Sequence, residues 1–112
     1  TLDAPSGQDV TVTVTTAPGT AAAGADYTTT TQTVVIPAGQ TTATFAVATA
    51  DDVLDEADET FTATITGAVN AAIGTATDTA TITDNDAPPT LSISDATALE
   101  GDAVIFTLTL SE

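Results

Sequence analysis

The sequence contains no lysine, no arginine and no histidine, and each absence closes a class of function. Without histidine or cysteine, neither a Ser-His-Asp nor a Cys-His nucleophile can be assembled, and without lysine no Schiff base can form. Cysteine is absent, so disulfides and zinc sites of the usual Cys/His type are excluded. Sixteen Asp and Glu leave a formal net charge of -16 with no basic side chain, so nothing can neutralise nucleic-acid phosphates or seek anionic lipid. No apolar run approaches the length of a membrane helix and no secretory leader is visible, so any targeting signal would lie outside this stretch. Methionine and tryptophan are also missing and aromatics are 4%, so a large aromatic core is excluded. The expectation is a soluble, carboxylate-rich, non-catalytic domain.

What the sequence has is threonine and alternation. About a quarter of the 112 residues are Thr, a β-branched type that favours strands. A disordered acidic tail would lack alternating Val, Ile and Phe. Here Val10, Val12 and Val14 alternate with Thr11, Thr13 and Thr15, and 31 to 36 form a second strand before the turn Pro37-Ala38-Gly39. The same period is expected in 42 to 49, with Ala43, Phe45 and Val47 inward, and in 60 to 66, with Phe61, Ala63 and Ile65 inward. A strand over about 75 to 83 places Asp78 on an apolar face, which an edge position or a bulge would excuse. Ala87-Pro88-Pro89-Thr90 reads as a stiff linker, followed by strands at Leu91 and Ile93 and at Val104 to Leu110. About seven short strands at regular spacing predict an all-β antiparallel sandwich with a thin core, which would profit from an added stabiliser.

The chemistry-bearing residues are carboxylates. Six of the nine residues from 51 to 59 are acidic: Asp51, Asp52, Asp55, Glu56, Asp58 and Glu59. Two carboxylates about 4 Å apart repel by about 4 kcal/mol at an effective dielectric of about 20. With no basic side chain available, a metal ion, bound protons or wide solvent exposure must compensate. Calcium suits the first route, since it takes six to eight oxygens in flexible geometry, whereas magnesium demands a tighter octahedron. A solvated acidic loop is the competing reading. Asp84-Asn85-Asp86 after the fifth strand and Asp26 after Gly24 supply further acids, and convergence at one end of a sandwich would favour calcium. Counted from Asp51, the sixth and twelfth positions are Glu56 and Thr62, so this is not an EF-hand loop. Glycine-aspartate nonapeptides are missing, as is any aromatic platform for paired-carboxylate glycoside chemistry.

The stretches Gly24-Ala25-Asp26-Tyr27, Val35-Ile36-Pro37-Ala38-Gly39, Asp51-Asp52 with Glu56, Asp58-Glu59-Thr60-Phe61, and Thr81-Ile82-Thr83-Asp84-Asn85-Asp86 together resemble the Calx-beta domain over residues 8 to 86. The resemblance implies an immunoglobulin-like sandwich with Ca2+ held by loops at one end. By position it makes Asp51 and Asp52 bridging ligands and Leu54 a carbonyl ligand, with Glu56 and Glu59 completing the loop's share. Asp26, Asp84 and Asp86 would arrive from neighbouring loops, while Asp55 and Asp58 match no ligand position. Asn85 stands where the family usually has an acid.

The family's acidic turn after its first strand matches Glu100-Gly101-Asp102, which lies after the last strand and so makes Glu100 a further ligand in the calcium site of a receiving copy, not its own. Residues 1-86 then read as a sandwich lacking its first two strands, 87-90 as linker, and 91-112 as the first two strands of a following repeat. Glu112 would run into Thr1 of another copy, giving a period of one chain length. The family occurs in long bacterial surface proteins, so the resemblance implies an extracellular adhesin or fibre spacer whose partners are neighbouring copies joined head to tail by donated strands. A calcium-sensing regulatory domain is the alternative. A cadherin-like rod is a weaker one, resting on Asp84-Asn85-Asp86 before Pro88.

Overall fold

The computed structural model of the chain describes residues 1–111, and Glu112, the expected junction to a following copy, lies outside them. The described residues contain strands, turns and irregular segments and no helix. The strands are β1 (Val10–Pro18), β2 (Thr31–Ile36), β3 (Glu59–Val69), β4 (Thr77–Ile82), β5 (Leu91–Ile93) and β6 (Leu108–Leu110). All pairings between them are antiparallel. The chain divides into one unit of residues 1–51 and 58–83 and a second of residues 52–57 and 84–112.

In the first unit the strand order is β2-β1-β3-β4. Register follows the alternation: Val10 opposes Ile36, Val12 opposes Val34, Val14 opposes Ile65 and Phe61 opposes Ala80. One face of the sheet is therefore apolar, because side chains two apart share a face. The Thr face carries hydroxyl pairs between strands, such as Thr15 with Thr31 at 3.2 Å and Thr64 with Thr77 at 3.0 Å. A register shift between Thr13 and Val14 lets β1 follow β3 past an extra residue. Asp78 lies on the apolar side of β4, but β4 is an edge strand and Asp78 is exposed there, as its sequence position predicts.

Pro37 to Gln40 closes the turn after β2, with Gln40 N donating to Pro37 O at 2.9 Å and Gly39 at φ 83°. That is the type II geometry, which requires the positive φ that glycine adopts without a Cβ clash. At the other end of β1, Gly19 is needed for a different reason. A Cβ there would lie 2.5 Å from Thr60 O. That oxygen accepts from Gly19 N at 3.1 Å and Ala21 N at 2.9 Å, tying the exit of β1 to the entry of β3.

The core is small. Its centre is Ala21, Tyr27 and Phe61, with Val47, Ala80 and Ile82 packed against it. The rings of Tyr27 and Phe61 stack with centroids 4.4 Å apart and planes 13° from parallel. Thr16 is buried with both of its polar functions met, since its Oγ1 accepts from Thr30 N at 2.9 Å and lies 3.4 Å from Thr30 O as a donor. Tyr27 is 1% exposed and its hydroxyl, buried with it, has no hydrogen-bond partner. A buried polar group without a partner costs about 1 to 3 kcal/mol. Tyr27→Phe keeps the stack and removes that cost, so unfolding in urea should show a gain of about 1 kcal/mol. A loss of stability would show that the hydroxyl is satisfied in solution.

Two expected strands are corrected. Residues 42 to 49 alternate as predicted but form no strand. Strands exist by ladder bonds to a neighbour, and among the described residues none runs alongside this segment. It is held at its ends: Leu2 N donates to Thr41 O at 2.7 Å, Thr28 N to Ala48 O at 2.8 Å, and Tyr27 bridges to Thr49. Val47 reaches the core, and Ala43 and Phe45 face the apolar side of the sheet with Val12, Val34 and Ile36 but are incompletely covered there. The strand expected over Val104 to Leu110 forms only at 108–110. Among the described residues the count is thus six strands rather than about seven.

In the second unit β5 and β6 make an isolated two-stranded sheet, Leu91 opposite Leu110 and Ile93 opposite Leu108. Ser94 N to Thr107 O at 2.9 Å adds one rung, and the arms are joined through a turn in which Asp102 N donates to Leu99 O at 3.0 Å. Gly101, at φ 97°, makes that turn.

Candidate metal centre

The predicted ligands sit on turns and strand ends, where backbone groups orient them. Asp26 follows Gly24, whose φ of 90° reverses the chain. Its Oδ2 accepts from Ala22 N at 2.6 Å, and its carbonyl accepts from Ala50 N at 2.8 Å. That second bond brings the Asp26 turn beside the residue preceding Asp51. Glu59 opens β3 opposite Ile82, the last residue of β4. The Tyr27–Phe61 stack fixes the Asp26 turn against the same end of β3. Asp26, Asp51 and Glu59 thus belong to one end of the first unit.

The second unit holds the rest. Asp52 Oδ1 accepts from Leu54 N at 2.8 Å, a local turn that folds the acidic loop on itself. Asp84 Oδ2 accepts from Glu56 N at 3.1 Å, and its Oδ1 from Asp86 N at 3.3 Å. One carboxylate therefore joins the loop of Asp52, Leu54 and Glu56 to the Asp84-Asn85-Asp86 segment, 28 residues apart in sequence. Glu100 is exposed in the hairpin turn. Among the described residues no three acids stand close enough together to form a metal cluster as they are.

Exposure separates the acids. Among the described residues only Asp26, Glu59, Asp84 and Asp86 are half-buried, and every other Asp and Glu is exposed. All four are in the predicted ligand set, and Asp55 and Asp58, read as solvated, are exposed. Partial burial of a carboxylate removes hydration that must be replaced, and this chain has no basic side chain to replace it. Backbone N–H donors supply part of the compensation at Asp26 and Asp84. The donor set is hard oxygen throughout, carboxylate and carbonyl with no nitrogen or sulfur side chain, which fits Ca2+ rather than a transition metal. The sequence pattern pointed to these acids but not to their supports: the stacked rings, the Gly19–Thr60 junction and the bond from the Glu56 amide to Asp84 depend on long-range packing.

The family described as Calx-beta domain matches residues 2–87. Among seven solved chains that match, the crystal structure of the apo-form Calx CBD1 domain is similar at 26% identity with a TM-score of 0.64. The likeness covers 70% of this chain and 72% of that one. No curated protein matches the sequence.

Proposed function

This chain belongs to the Calx-beta domain family, with its all-β, immunoglobulin-like sandwich class, and from that premise we propose that it is a Ca2+-binding structural module. In this reading Asp26, Asp51 and Glu59 at one end of the first unit form one group of ligands, and Asp52, Glu56, Asp84, Asp86 and the Leu54 carbonyl in the second unit form another. Bound calcium supplies positive charge beside half-buried carboxylates in a chain that has no basic side chain. The observation that carries the reading is the coincidence of the half-buried acids with the predicted ligand set, in a chain without a basic side chain. No catalytic role is assigned, since the residues needed for nucleophilic or imidazole chemistry are absent.

The module's work in this proposal is mechanical. It is a calcium-stiffened spacer of an extracellular or surface-attached bacterial adhesin or fibre, the setting in which calcium is abundant and cysteine is dispensable. A regulatory sensor differs in affinity: extracellular modules bind with dissociation constants of about 10⁻⁴ to 10⁻³ M, sensors at about 10⁻⁷ to 10⁻⁵ M.

Three substitutions that each remove one negative charge test the ligand assignment. Asp51→Ala and Glu56→Ala should each weaken calcium binding at least about tenfold, a loss of about 1.4 kcal/mol, while Asp55→Ala should stay within about twofold. Calorimetric titration of the three variants reads this directly. Equal effects from all three would mean diffuse electrostatics and would refute specific coordination.

A further inference from the structure

We draw no further inference here: the strongest candidate, the apolar groove on the four-stranded sheet of the first unit walled by Val12, Val34, Ile36, Phe45, Ala63 and Ile65, carries none because nothing in the structure shows what covers it.

Discussion

Calcium at a thousandfold excess over its dissociation constant should raise the unfolding free energy of this domain by about 4 kcal/mol, and a chelator should abolish the gain. The figure follows from linkage alone, because an ion that binds only the folded state stabilises it by mass action. It is large here because the rest of the balance is thin. The buried apolar residues among those described are Val10, Val14, Ala21, Tyr27, Ile36 and Phe61, a small set set against the conformational entropy of the whole chain. Small domains are commonly stable by about 5 to 15 kcal/mol, so the ion contributes a large fraction of the total. For a domain of about 100 residues each kcal/mol shifts the melting midpoint by about 4 °C or more, so the expected difference is about 15 °C or more. Thermal melts in calcium, in magnesium and in chelator measure it. Midpoints in calcium and chelator that agree within about 2 °C would remove the metal from the account.

The second large effect is expected from Phe61→Ala. Truncating a buried aromatic costs about 3 to 5 kcal/mol, from lost transfer free energy and the cavity left behind. At this position the substitution also removes the stack on Tyr27, worth about 0.5 to 1.5 kcal/mol beyond area. Phe61 lies two residues from Glu59, and Tyr27 is adjacent to Asp26, so losing the stack loosens two predicted ligands at once. The variant should be largely unfolded in chelator and partly rescued by calcium, with weaker binding than the parent. Phe45→Ala is the control, because Phe45 is 37% exposed and lies outside the core cluster. Far-ultraviolet circular dichroism and urea titration of both variants give the comparison. Equal losses from the two would contradict the placement of the core at Tyr27 and Phe61.

The strands that carry a neighbour were readable from alternation. Val10, Val12 and Val14 in β1, Phe61, Ala63 and Ile65 in β3, and the turn at Pro37 to Gly39 all stand where period and turn chemistry place them. Residues 42 to 49 show the limit of that signal. Alternation reports which side of a strand faces the core, but a strand also needs a partner, and partners are fixed by topology that a local pattern does not encode. The same limit applies to Val104 and Phe106, whose alternation is intact and whose pairing is missing. At the candidate site, residue type and spacing marked the acids. Burial then separated Asp26, Glu59, Asp84 and Asp86 from their neighbours, which depends on how the turns pack and could not be read from a run of like charges. Asp84 Oδ2 reaching Glu56 N is a contact across 28 residues, invisible to any motif.

The central claim is that these carboxylates coordinate calcium specifically, and direct calorimetric titration of the unaltered chain with calcium, and separately with magnesium, tests it most closely. The account predicts saturable calcium binding of defined stoichiometry, in the range of about 10⁻⁴ to 10⁻³ M expected of an extracellular module, and magnesium binding weaker by a wide margin. Calcium and magnesium isotherms that superimpose, or a calcium isotherm that never saturates, would show an acidic surface screened by any divalent ion and would contradict it.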